Sequence, residues 1–276
     1  MDVRIVRNAA DVAAEGAARV AEVLSRLDDA VLGLATGETP RAMYRELVAA
    51  HERGELSFAG ATSFNLDEYL GLDPGSPQSY RSYMQRELFD HVDIDAANTF
   101  LPVCADGQHP DEVGPAYEAE IRRRGGIDLQ ILGIGRNGHI GFNEPASSLG
   151  SRTRVKTLTR ETLASNRHHF GPGETQPELA ITMGVATILD AYEILLLATG
   201  ESKADAVRAA IEGPVAAMCP ASALQHHRRV TVLLDDAAAS KLELRDYFCW
   251  VDEQNRRLES EGVEWNRRRG TSFDGR

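Results

Sequence analysis

The chain reads as an α/β protein: a doubly wound, mostly parallel, Rossmann-like sheet flanked by helices, in a single domain. Three observations predict this. Short apolar runs of strand length alternate along the chain with longer amphipathic, Ala-rich runs. The runs at 30–35, 127–134 and 193–199 are dominated by apolar residues, as strands buried on both faces of a parallel sheet are. The length of 276 residues is near the upper limit for one hydrophobic core. With 42% hydrophobic and 26% charged residues, the chain has an ordinary globular balance.

In chain order, 3–6 is a strand and 9–27 an Ala-rich helix. Residues 30–35 form a buried strand, followed by a helix over 40–53 with Thr39 at its N-cap and Pro40 at its first position. A strand over 62–66 leads to a helix over 78–92. The strand at 127–134 is matched later by 193–199, and a helix follows at 202–211. The last strand is 229–234, and 236–260 is mostly helical. The domain spans 1–266, and 267–276 is a polar tail expected to fray. Residues 73–77 and 171–177 read as surface loops, the second a candidate lid.

The charge and cysteine content narrow the function classes. A net charge of −12 opposes a broad nucleic-acid or membrane surface. Cys104, Cys219 and Cys249 are far apart, odd in number and form no metal or redox pair, which fits a reducing cytoplasm. No run approaches the ~20 apolar residues of a membrane span.

In a doubly wound sheet, ligands bind beyond the carboxyl ends of the strands. That rule selects four junctions: 36–39, 67–69, 135–144 and 199–203. At the first, Thr36-Gly37-Glu38-Thr39 lies between a strand and a helix N-terminus, where free N–H groups and the helix dipole suit a phosphate. It is neither a Walker loop nor a dinucleotide fingerprint. At the second, Asp67 and Glu68 follow directly on a strand end.

The third is the most informative. Gly133 to Pro145 holds four glycines, Asn137, His139, Asn143 and Glu144. His139 can move protons in both directions near neutral pH, and Glu144 can orient it or balance its charge. At the fourth junction, Lys203 sits in the first turn of a helix, where a cation opposes the dipole unless it helps to grip an anion. Together the four junctions point to a phosphorylated substrate, held by 36–39 and Lys203, with Asp67, His139 and Glu144 at the reacting end.

Two of these stretches, Phe64-Asn65-Leu66-Asp67-Glu68-Tyr69 and Gly135-Arg136-Asn137-Gly138-His139-Ile140-Gly141-Phe142-Asn143-Glu144-Pro145, resemble the signatures of the glucosamine-6-phosphate deaminase family. The resemblance runs from about residue 31 to 247. It implies a cofactor-free and metal-free deamination with isomerisation of glucosamine 6-phosphate to fructose 6-phosphate and ammonia. In that scheme His139, with Asn137 and Glu144, opens the sugar ring. Asp67, in an environment that leaves it ionised, takes the C2 proton. The phosphate falls to Thr36, Gly37, Glu38, Thr39 and Lys203. The family's further arginine aligns with His168, while Arg167 stands one residue early. Glu38, where the family has a small residue, must point away from the phosphate. The resemblance further implies a homohexamer activated by N-acetylglucosamine 6-phosphate at Ser147, Arg154, Lys156, Thr157 and Tyr247. Other readings on the same fold are a 6-phosphogluconolactonase, a deaminase for another amino-sugar phosphate, and a non-catalytic sugar-phosphate sensor.

Overall fold

The computed structural model describes residues 1–261 apart from Pro74, Asp106, His168, His169 and Pro172, and leaves out the side chain of Glu259. Seven strands form the main sheet: β1 (Asp2–Val6), β2 (Val31–Leu34), β3 (Thr62–Asn65), β5 (Thr99–Phe100), β6 (Leu129–Gly133), β9 (Glu193–Ala198) and β10 (Val230–Asp235). Their order is β1-β10-β9-β6-β2-β3-β5, and every neighbouring pair is parallel. β2 and β9 are buried along their whole length. Helices on the two faces cover them, so there is no solvent side to demand polar alternation.

The helices bury one stripe each. α1 (Ala9–Arg26) is capped by the Asn8 side chain, which accepts from the Asp11 N–H, and it buries Val12, Val20 and Val23. α2 (Glu38–Glu52) buries Met43, Tyr44 and Leu47 against it. Its N-cap is Gly37, not Thr39, and no side chain caps it. The first-turn N–H groups are therefore left for another acceptor. α3 (Tyr80–Glu87) is shorter than the helix expected over 78–92. Ser79 caps its start, and a 3-10 turn at Phe89–His91 continues the segment after Leu88. α4 (Pro110–Arg123) packs near residues Arg154–Thr157, and α7 (Ala204–Ile211) follows a 3-10 turn at Glu201–Lys203. α8 (Arg245–Ser260) lies on β1. It begins nine residues later than expected, because 236–244 is taken up by turns.

A second sheet was not expected. β4 (Asp67–Tyr69), β8 (Leu179–Thr182) and β7 (Arg154–Thr157) pair antiparallel in that order. Two short helices flank it, α5 (Arg160–Asn166) and α6 (Val185–Leu189). Leu66 joins the sheets: its N–H donates to Leu34 O in the main sheet, and its carbonyl accepts from Met183 N beyond β8. The chain thus passes from β3 into β4 with a change of sheet, and Asp67 is the first residue after it. Tyr69, Phe142, Leu158, Phe170 and Ala180 form a small core under this sheet. No described helix is long and apolar enough to cross a membrane.

Candidate active site

One cavity of about 760 Å³ opens at the carboxyl ends of β2, β3 and β6. It gathers Thr36, Gly37, Glu38, Thr39, Asp67, Asn137, His139 and Lys203. These come from all four junctions chosen from the sequence. The fifth wall is α5, through Glu161, Thr162, Ser165 and Asn166.

At one end, the uncapped start of α2 presents its N–H groups. Thr39 Oγ1 lies 3.3 Å from Thr199 Oγ1 across the junction to the fourth site. Glu38 points outward as required: its carboxylate is 73% exposed and pairs with Arg41 at 3.0 Å. Lys203 Nζ donates to the Ile134 carbonyl at 2.7 Å, and burial, then the charge of Arg136, lowers its pKa. Tyr83 O–H donates to the Gly37 carbonyl at 2.7 Å and pins the turn.

At the other end stand the acid–base groups. The His139 ring lies against Gly135, where a Cβ would come within 2.2 Å of the imidazole, so any side chain there would displace the ring. His139 Nδ1 is 3.4 Å from Glu144 Oε2. Glu144 is buried behind the ring and accepts from Asn137 Nδ2 at 2.7 Å and from Thr162 Oγ1. Burial raises the Glu144 pKa, but contacts with His139, Thr162 and Asn137 outweigh it and hold the carboxyl at about 2. The hydrogen bonds of Asn137 go to the Glu144 carboxylate and the His139 backbone, not to the imidazole. Asn137 Oδ1 accepts from the His139 backbone N–H at 3.2 Å, so it fixes the turn and the carboxylate, not the ring.

Asp67 faces the same space. A side chain at Gly141, which has φ 55°, would meet Thr182 Oγ1 at 2.9 Å and Asp67 Oδ2 at 3.4 Å. Asp67 is buried, and its environment differs from the expectation of an easily ionised base. Desolvation first, and the neighbouring Glu68 second, push its carboxyl up to about 8 despite a hydrogen bond from Thr182. Glu68, read from the sequence as its twin, has a separate task. It accepts from the N–H groups of Tyr69, Tyr80 and Arg81 at 2.8–2.9 Å and caps α3.

Six of the expected residues lie outside the cavity. Arg154, Lys156 and Thr157 are on β7, and Tyr247 is on α8 at the opposite, β1 edge, 57% exposed. Ser147 is buried, its hydroxyl without a partner among the described residues. Arg154 Nη1 donates to Asn143 Oδ1 at 2.9 Å, next to Glu144. Arg167 does not reach the cavity, its Nη1 lying 3.4 Å from the Phe170 and Glu174 carbonyls. His168 is outside the described residues.

The sequence reading missed α5 and with it Thr162 and Asn166. Asn166 Nδ2 donates to Tyr69 O–H at 3.0 Å, and the Tyr69 ring packs against Tyr80 with centroids 4.9 Å apart. The signal was present as Thr159, whose hydroxyl accepts from the Thr162 N–H as an N-cap.

With this geometry established, comparison with known proteins assigns the chain to a group. The family model for glucosamine-6-phosphate isomerases/6-phosphogluconolactonase matches residues 6–233. The chain belongs to this family. Within it, a glucosamine-6-phosphate deaminase of Colwellia psychrerythraea is 56% identical over 261 residues, covering 95% of this chain and 97% of that protein. One from Cellvibrio japonicus is 53% identical over 258 residues, 94% of this chain and 98% of that protein. A solved structure described as a monomeric glucosamine-6-phosphate deaminase superposes with a TM-score of 0.84 at 44% identity, covering 87% of this chain and all of that one. The 6-phosphogluconolactonase of Trypanosoma cruzi shares the fold, with a TM-score of 0.67 at 17% identity over 88% of this chain and 97% of that one.

Proposed function

We propose that this protein converts glucosamine 6-phosphate to fructose 6-phosphate and ammonia in amino-sugar catabolism in the cytoplasm. The observation that carries the reading is the single cavity with an anion seat at one end and Asp67 facing the His139–Glu144 pair at the other. Relatives at 53–56% identity carry the deaminase name. In the proposed reaction the phosphate rests on Thr36, Gly37, Thr39 and Lys203. His139, its charge balanced by Glu144, moves the proton between O5 and O1 as the ring opens. Asp67 takes the proton from C2, and an enolamine forms. Proton return at C1 gives the ketimine, and water displaces ammonia.

Asp67 must be ionised to accept a proton, yet burial pushes its carboxyl up to about 8. The substrate supplies the remedy, because an ammonium group on C2 beside the carboxylate lowers its pKa. This pairs base and substrate: a sugar phosphate without the cationic amine leaves Asp67 largely protonated at neutral pH.

The regulatory part of the proposal uses Ser147, Arg154, Lys156 and Thr157 as a seat for N-acetylglucosamine 6-phosphate. The Arg154–Asn143 contact supports it, since Asn143 adjoins Glu144 and ties β7 to the acid–base pair. Tyr247 stands on α8, which packs on β1 and not on β7; in the proposed homohexamer a second copy brings it to this seat.

The test is a coupled ammonia assay on glucosamine 6-phosphate and its 4-epimer, with and without the N-acetyl compound, alongside light scattering. Ammonia release lost in Asp67→Asn is the expected result. Lactone hydrolysis without ammonia would replace the reading. A monomer with hyperbolic kinetics, indifferent to the N-acetyl sugar and to Lys156→Ala, would remove the regulatory part.

A further inference from the structure

Three arginines line the cavity: Arg41, Arg86 and Arg136. Two are engaged. Arg41 pairs with Glu38 and Glu87 and lies over the Tyr83 ring. Arg86 pairs with Glu87 and lies over the same ring. Arg136 is exposed, and no carboxylate among the described residues pairs with it. It stands in the turn after β6, two residues beyond Ile134, whose carbonyl holds the Lys203 ammonium at 2.7 Å. Two cations thus line one cavity, close enough for the charge of one to act on the other. Each disfavours the other's charge, and Lys203 registers this in a pKa lowered by burial first and by Arg136 second. The other candidate, Arg167, lies against the Phe170 and Glu174 carbonyls and does not line the cavity.

We propose that Arg136 is the second cation of the phosphate seat, closing on the substrate's phosphate together with Lys203. The assignment rests on the sugar-phosphate reading above and adds to it the residue that sets affinity for the anionic end. A planar guanidinium suits phosphate oxygens, to which it can give two parallel hydrogen bonds. A dianion placed between the two cations would also relieve their mutual repulsion, so the seat is arranged to be filled.

The test uses the full chain and inorganic phosphate as probe, read as the concentration that half-saturates the thermal shift, for wild type, Arg136→Gln, Arg136→Lys and Lys203→Ala. Arg136→Gln is expected to weaken phosphate binding about tenfold, the scale of one charge-assisted contact. KM for glucosamine 6-phosphate should rise by a similar factor, so that the loss falls on KM and not on kcat. Arg136→Lys should recover part of it. The alkaline limb of phosphate binding should move to higher pH in Arg136→Gln, because Lys203 without its cationic neighbour keeps its proton longer. Arg136→Gln binding phosphate as wild type does, while Lys203→Ala is weakened, would overturn the proposal. So would a loss confined to kcat. The phosphate titration needs no turnover, so a protein that bound phosphate through Arg136 but released no ammonia would refute the deaminase reading and leave this one standing.

Discussion

Replacing Asp67 by Asn should make the protein more stable at neutral pH while removing its proposed activity. The carboxyl is buried, and its pKa rises from 3.8 to about 8, by desolvation first and Glu68 second. For an acid with a raised folded-state pKa, the unfolded chain ionises first. Between 3.8 and about 8 the folded state therefore holds a proton that the unfolded chain has released, and stability falls as pH rises through that interval. At about 1.4 kcal/mol per pH unit, the interval from 3.8 to pH 7 is worth on the order of 4 kcal/mol. Asn keeps the shape and carries no charge, so the cost disappears. Denaturant unfolding of both proteins at pH 4 and pH 7 reads it directly. The stability gap between Asp67→Asn and wild type should widen by several kcal/mol from pH 4 to pH 7. A gap that is constant, or that narrows toward pH 7, would mean that the folded protein does not hold Asp67 protonated.

Three further outcomes follow from the same geometry. Gly135→Ala should fold, since Gly135 has no positive φ, but its Cβ would displace the His139 ring and lower kcat by at least about a hundredfold, roughly 2.7 kcal/mol of transition-state stabilisation; stopped assays with a matched melting curve check it. Thr162→Val removes a hydroxyl donor from the buried Glu144 carboxylate and should cost about 1.5–3 kcal/mol at pH 7. Because the Glu144 pKa is depressed to about 2, that loss should fade as pH falls below the ordinary 4.5, and Thr162→Ser should restore stability. Phe64→Ala removes a fully buried ring stacked on Phe100 at 4.9 Å and edge-on to Tyr117 at 5.5 Å, and the unfolding free energy should drop by about 3–5 kcal/mol.

Six of the seven main-sheet strands were readable, the central ones as apolar runs such as 193–199 that have few other places to go, whereas β5, two residues long, carries no pattern and was missed. The small sheet was not. β4 is Asp67-Glu68-Tyr69, two acids and an aromatic that carry no strand pattern, and β7 is Arg154-Val155-Lys156-Thr157, half-exposed. These strands exist because β8 lies between them, a long-range pairing that no local window contains. The site followed the same division. Junctions at the ends of main-sheet strands were legible, since topology alone sends ligands there. The helix α5, which closes the cavity over Glu144, is seven residues long and mostly polar, so its contribution could be found only through the Thr159 cap. The raised pKa of Asp67 depends first on burial, which residues far apart in the chain supply, and the adjacent Glu68 contributes only second.

The most direct test of the account is a crystal structure with fructose 6-phosphate bound. The account predicts the phosphate on the N–H groups of 37–39 with Lys203 Nζ in contact, and C1 and C2 between the Asp67 carboxylate and the His139 ring. A sugar bound the other way round, or one that leaves Asp67 and His139 on separate molecules, would contradict it.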